Sequence, residues 1–201
     1  MSKIGILGGT FNPIHKGHIL LGEYCCKNLS LDKIMLIPTY TPPHKSSNEL
    51  VDETHRIKMC NIATENLKNF CVSDIEIQRK GKSYTYQTLT ALKKMQPKDI
   101  FYLIMGADMF LTLDKWKDPK IIFKKAVIVA VPRNESDKTD LNNYYHNVIK
   151  NMGAKAVILD EPVMQVSSTY IRDNIDNYNL IQTLIDSNVY DYIVKNKLYR
   201  K

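Results

Sequence analysis

Residues 8–18 read GGTFNPIHKGH, and this is the stretch whose residue types and spacing could do chemistry. Gly8 and Gly9, placed at a strand end, let the backbone come close to a ligand, and Pro13 favours extended backbone at Asn12. A helix beginning just beyond would offer its N-terminal amides and the positive end of its dipole to an anion. His18 falls in the first turn of that helix with His15 three residues before it, so both imidazoles can face the same anion. A single histidine is commonly structural. Two of them beside a glycine-rich strand end point to a phosphate-bearing ligand.

Such residues need a scaffold, and the hydropathy pattern supplies one. Residues 4–7, 34–37, 101–105, 126–131 and 156–159 are nearly continuous in aliphatic residues, as strands covered on both faces would be. Each ends at a breaker or polar turn. Helical spacing falls between them: Leu20, Leu21, Tyr24 and Cys25; Met59, Ala63 and Leu67; Leu89, Leu92 and Met95. The alternation predicts an α/β fold of the Rossmann-like, doubly wound kind with a mainly parallel sheet. Residues 71–77 alternate instead and are read as a sixth strand or an edge. Beyond Val166 the pattern turns helical, so residues 1–201 are expected to form one compact unit in which 167–201 make a small C-terminal helical cap.

In open parallel sheets ligands bind outside the carboxyl ends of the strands. Residues 8–18, 38–45, 106–108, 132–134 and 166–172 all follow predicted strands, and their convergence there is the main sequence argument for one shared site.

Composition narrows the alternatives. Lys+Arg number 28 against 21 Asp+Glu, a formal charge of +7, but the lysines are spread along the chain rather than gathered with aromatics, which argues against a nucleic-acid partner. The residual positive charge suits long-range attraction of a small phosphorylated substrate. Apolar runs are far shorter than the roughly 20 residues of a spanning helix, so a cytoplasmic protein with no membrane partner is expected. The four cysteines show no Cys-x-x-Cys or metal spacing and are read as buried thiols. Asn28 to Ser30 and Asn134 to Ser136 match glycosylation sequons by chance. Gly81-Lys82-Ser83 ends like a P-loop, yet Glu76 stands where its first glycine belongs, and no G-x-G-x-x-G is present.

Residues 8–18 resemble the GTFxPxHxGH signature of the nucleotidyltransferase superfamily, and residues 166–172, VSSTYIR, resemble its second signature, ISSTxIR. Within it, Pro42-Pro43-His44-Lys45, Gly81-Lys82-Ser83-Tyr84-Thr85, and Gly106-Ala107-Asp108 followed by Trp116 are similar to segments of bacterial nicotinate-nucleotide adenylyltransferases. Val166 and Asn12 depart from the usual isoleucine and aspartate. The resemblance implies ATP and nicotinate mononucleotide as substrates, deamido-NAD and pyrophosphate as products, and Mg²⁺ carried on the ATP phosphates with no protein-held metal. Phosphate attack needs no general base or covalent nucleophile, so catalysis would reduce to alignment and charge stabilisation.

The implied roles fall on definite residues. His15, His18, Lys45 and Arg172 would be catalytic, the histidines at the phosphates and the other two holding phosphate oxygens. Gly8, Gly9, Thr10, Phe11, Gly106, Asp108, Arg133, Ser167, Ser168, Thr169 and Ile171 would line the ATP site. His44, Ser83, Tyr84, Thr85 and Trp116 would take nicotinate mononucleotide, the tryptophan by stacking and the amides of Ser83 to Thr85 by receiving the carboxylate. His55 and His146 are given no role. A pantetheine-phosphate adenylyltransferase-like enzyme, a cytidylyltransferase, and a non-catalytic nucleotide-binding or RNA-binding module remain as alternatives, and homo-oligomer formation stays open.

Overall fold

The computed structural model describes residues 1–42, 50–160 and 166–200. Among them the strands β1 (Lys3–Gly9), β2 (Lys33–Pro38), β3 (Phe70–Val72), β4 (Ile100–Gly106), β5 (Ala126–Val131) and β6 (Ala156–Ile158) form one sheet in the order β3-β2-β1-β4-β5-β6. Every pairing is parallel. This is the doubly wound order, and its direction reverses between β1 and β4, where a crevice opens beyond the strand ends.

The continuous apolar runs are explained by the two cores. Successive residues of a strand point to opposite faces. On one face Leu7, Ile34, Leu36, Ile104 and Val129 join a buried cluster; on the other Ile4, Ile6, Met35, Ile37, Phe101 and Leu103 join a second. The first is covered by α1 (Lys16–Leu29), α2 (Glu53–Thr64) and the C-terminal helices α8 (Ser168–Asp173), α9 (Tyr178–Ile181) and α10 (Ser187–Lys195). Ile171, Ile181, Ile185, Val189 and Ile193 belong to that same cluster, so the C-terminal helices complete one face of the sheet. The second face is covered by α4 (Thr85–Met95), α5 (Ala107–Phe110), α6 (Pro119–Lys125) and α7 (Glu135–Tyr144).

Three expectations shift in detail. The alternating stretch at 71–77 is strand only as far as Val72; α3 (Ile75–Arg79) follows. The buried positions of α1 are Gly17, Gly22, Cys25 and Cys26, while Leu20 is exposed. A β-carbon at Gly22 would stand 2.8 Å from the Phe70 ring, so this helix comes close to the sheet on its small residues rather than its leucines. In α4, Leu89 and Leu92 are buried, but Met95 is 68% exposed.

Candidate functional site

The loop from Thr10 to His15, between β1 and α1, is held from four directions. Asn12 is 3% exposed, its peptide bond to Pro13 is cis, and its backbone oxygen accepts from Arg172 Nη1 at 2.9 Å. The Ser168 hydroxyl donates to the Pro13 oxygen at 3.0 Å. These two bonds bring the two signature segments together although 155 or more residues separate the partners. Asn12 Oδ1 accepts from the Val51 amide at 3.2 Å and from the Tyr199 hydroxyl at 2.9 Å.

Arg56 provides the fourth hold. It is 1% exposed and donates through Nη1 to Thr10 O at 2.8 Å and Thr39 O at 2.6 Å, and through Nε to Val51 O at 2.9 Å. One guanidinium thus ties the loop after β1 to the loop after β2. Burial lowers its pKa from the usual arginine value, with Glu53 opposing. The sequence reading gave Arg56 no role, yet a signal was present: it sits three residues before Met59 on the apolar stripe of α2, where a charge is out of place unless it has partners.

His15 is the residue preceding α1 and His18 lies in its first turn. Their rings stack with centroids 3.7 Å apart, and Phe11 meets His18 edge-on at 4.9 Å. Burial pushes His15 down to about 4, and burial followed by the charge of His15 pushes His18 well below its usual value. Both rings are therefore neutral near pH 7 in the free protein. The backbone N–H of His15 donates to His18 Nδ1 at 3.3 Å, so that nitrogen carries a lone pair and the proton of the neutral ring sits on Nε2. His15 Nδ1 is buried with no partner among the described residues.

Gly8 lies at the end of β1, and Gly106 ends β4 and precedes α5. A β-carbon at either would meet nothing within 4 Å, and neither has a positive φ. Neither packing nor backbone conformation demands glycine there; the switch-point crevice is open at both, and a side chain would fill it.

The remaining sequence-predicted residues divide by location. Gly9 and Thr10 border the same loop; Phe11 is buried, which leaves it a structural ring against His18. Ser167 precedes α8 and its hydroxyl accepts from the Tyr170 amide at 3.3 Å, while Thr169 Oγ1 accepts from Arg172 Nη2 at 3.3 Å. Ile171 was expected at the ATP site, but its side chain is fully buried in the core and its amide is bonded to Ser167 O at 3.1 Å. It anchors α8. Asp108 and Arg133 form a two-pronged ion pair, at 2.7 and 2.6 Å, and Arg133 also bonds Asp137 at 3.1 Å. His44 and Lys45 lie outside the described residues.

On the neighbouring strand end, Ser83 is buried, its amide donates to Thr41 O at 2.9 Å, and its hydroxyl accepts from the Tyr40 amide at 3.1 Å. Tyr84 N–H donates to Lys82 O at 3.1 Å. Of the three amides expected to receive a carboxylate, those of Ser83 and Tyr84 are thus engaged within the protein. In the first turn of α4 the amides of Thr85 and Tyr86 lack intrahelical acceptors. Trp116 is half-buried against the same core cluster as Tyr86, and its indole N–H donates to Thr112 Oγ1 at 3.4 Å.

Residues 6–174 match the cytidylyltransferase-like family model. A Lachnoclostridium phytofermentans protein named "Probable nicotinate-nucleotide adenylyltransferase" is 37% identical over 199 residues, covering 99% of this chain and all of the relative. A Dictyoglomus thermophilum protein of the same name is 39% identical over 198 residues, 98% and 99% of the two chains. The chain belongs to the cytidylyltransferase-like family, among its nicotinate-nucleotide adenylyltransferases. The fold agrees: Plasmodium falciparum nicotinic acid mononucleotide adenylyltransferase, solved in complex with NaAD, superposes with a TM-score of 0.79 at 21% identity, covering 99% of this chain and 98% of that one. In this member of the family, no cluster of three or more His, Cys, Asp or Glu among the described residues could hold a metal. None of the helices, among those residues, is long and apolar enough to cross a membrane.

Proposed function

We propose that this chain transfers the adenylyl group of ATP to nicotinate mononucleotide, giving nicotinate adenine dinucleotide and pyrophosphate. The observation that carries the reading is the junction at Asn12 and Pro13, where Arg172 and Ser168 bind the loop that leads into the histidine pair at the open crevice. The acceptor's phosphate oxygen attacks the α-phosphorus and pyrophosphate leaves; the attacking group is already ionised, so alignment and charge stabilisation suffice. His18 offers Nε2–H to the developing charge. His15, buried beside it, supplies the second imidazole, and the arriving anion draws both rings toward their protonated forms. Gly8 and Gly106 let nucleotide approach the strand ends.

The donor set fits Mg²⁺ arriving on the triphosphate rather than held by protein alone: the site offers imidazoles, backbone groups and guanidinium, and Asp108 is engaged by Arg133. When bound, the ion neutralises phosphate charge. The Thr85 and Tyr86 amides receive the nicotinate carboxylate, with Trp116 as the stacking ring.

The test is pyrophosphate release with ATP and Mg²⁺ across nicotinate mononucleotide, nicotinamide mononucleotide and phosphopantetheine, with products identified by mass. The acid is expected to exceed its amide on the order of a hundredfold in kcat/KM, because a carboxamide turns an NH₂ toward an amide donor and leaves it unpaired. Equal values for acid and amide overturn the carboxylate assignment, and turnover of phosphopantetheine alone overturns the substrate assignment. Trp116→Ala should weaken both mononucleotides equally, since stacking does not read the carboxylate.

A further inference from the structure

We propose that the hydroxyl of Tyr199 is a positioning group for adenylyl transfer: by donating to Asn12 Oδ1 it fixes the loop that delivers His15 and His18 to the site. This rests on the adenylyl-transfer reading for its kinetic consequence, though its structural part stands apart from it.

The terminal segment is built to make this bond. After α10 the chain closes in a left-handed cap: Leu198 N–H bonds Ile193 O at 3.0 Å, Lys197 N–H bonds Val194 O at 3.1 Å, and Lys197 has φ 53°. Leu198 seals the turn by joining the buried cluster that contains Ile193. Tyr199 follows with φ 63°, a second left-handed residue that carries a side chain, in a region such residues avoid. What this geometry achieves is to turn the ring inward against the core and set its hydroxyl 2.9 Å from Asn12 Oδ1, across a sequence separation of 187.

Packing alone would not call for the oxygen, because a phenylalanine would fill the same space. The hydroxyl's acceptor is a side chain at the centre of the signature loop. With the Val51 amide already at 3.2 Å, Tyr199 supplies the second donor to Asn12 Oδ1, which matches the two lone pairs of an amide oxygen. Around the same point are Arg56 and Arg172, the guanidiniums that hold Thr10 O and Asn12 O. Burial raises the phenol's pKa against the pull of those two cations, so it remains a donor throughout the neutral range. Asn12 stands three residues before His15; its backbone oxygen and that of Pro13 are gripped by two residues of α8, Arg172 and Ser168, and its side chain by the Val51 amide and Tyr199. Tyr199 is the side-chain donor to Asn12 Oδ1, and loss of one oxygen atom removes it.

The experiment compares wild type, Tyr199→Phe, Asn12→Ala and the double variant. Tyr199→Phe should lower kcat about tenfold, with KM for ATP and nicotinate mononucleotide changed less than about twofold. In the Asn12→Ala background the same substitution should have no further effect on kcat, because its acceptor is gone. The ¹⁵N shifts of the His15 and His18 imidazoles, recorded without substrate, should move in Tyr199→Phe. A variant that loses thermal stability but keeps wild-type kcat and imidazole shifts overturns the proposal, and so does a kcat loss that persists in full without the Asn12 side chain. Should Tyr199→Phe not fold, the imidazole shifts of Asn12→Ala, which removes the hydroxyl's acceptor from the full chain, decide the question: unchanged shifts overturn the proposal. If wild type turns over none of the substrates, the functional reading fails while the imidazole shifts still judge the latch.

Discussion

The loop after β1 and the turns after β4 and β5 leave neighbouring strands, yet they are held by different means. The first is gripped by donors withdrawn from water, Arg56 fully buried and Ser168, Arg172 and Tyr199 half-buried, each aimed at a carbonyl or amide oxygen. The second is held at the surface: Asp108, with its side chain 71% exposed, and Arg133, 38% exposed, form an ion pair open to water, while the Arg133 amide bonds Asp137. Buried hydrogen bonds fix a geometry because breaking one leaves a desolvated group without a partner. An exposed ion pair is screened and contributes little, so an incoming anion can take over its arginine at small cost. The molecule therefore combines a rigid side, where phosphorus chemistry needs fixed donors, with an exchangeable side that can admit and release a nucleotide.

Substitutions can break this contrast, beginning with the rigid side. His18→Ala should lower kcat by roughly two to four orders of magnitude with folding intact, as measured by steady-state pyrophosphate release. Near-normal turnover would remove His18 from the reaction. His15→Ala should behave alike and also raise KM for ATP.

Arg56→Met keeps the length of the side chain but leaves the Thr10, Thr39 and Val51 oxygens without their donor. Destabilisation of about 3 kcal/mol is expected in urea unfolding. A change within experimental error would mean that water replaces the guanidinium freely and that the loop is not rigid.

The histidine pair gives the rigid side a pH signature. In the folded protein His15 titrates at about 4 instead of its ordinary 6.5, and His18 is also lowered, so between those values the unfolded chain binds protons that the folded one refuses. Stability is full above pH 6.5 and falls as pH drops toward 4, by on the order of 2 to 3 kcal/mol for His15. Replacing His15 with Gln should flatten that limb of the stability curve, and an unchanged slope would place the acid sensitivity elsewhere.

The smallest effect belongs to the exchangeable side. Arg133→Ala should shift Tm by no more than about 2 °C, since its pair with Asp108 is open to water. A larger loss, measured beside Arg56→Met, would erase the distinction between the two regions.

Much of the scaffold could be read directly from the residues because a sheet covered on both faces leaves an unambiguous mark. Residues 4–7 and 101–105 are apolar at every position, and each alternate side chain goes to a different core. The short edge was harder: β3 has three residues, and the alternation of 71–77 runs on into α3, where period two and a single helical turn look alike. In α1 Leu20 misled, being exposed, whereas Leu21 and Tyr24 pack against the core beside the buried Gly22, Cys25 and Cys26. At the site, the histidine pair and the two signatures were visible as motifs. Arg56 showed only as a charge on the apolar stripe of α2, and Tyr199 not at all, since it sits far from everything it serves. The engaged amide of Ser83 depended on the isolated parallel bridge between Thr41 and Lys82, which no local pattern shows.

The long reach of the contacts at Asn12 also orders events in time. As the chain leaves the ribosome, β1 and its loop emerge first, but three of the donors that grip Asn12 and Pro13 are 155 to 187 residues away. Helices α1 and α2 can already cover part of the sheet while the loop between β1 and α1 still lacks Ser168, Arg172 and Tyr199. A nascent chain at that stage has its histidines and its crevice but not the bonds that align them. Activity is thus withheld from unfinished chains, and a message cut short before the codon for residue 172 yields a protein that lacks both the cation and the hydroxyl-bearing tail that finish the loop.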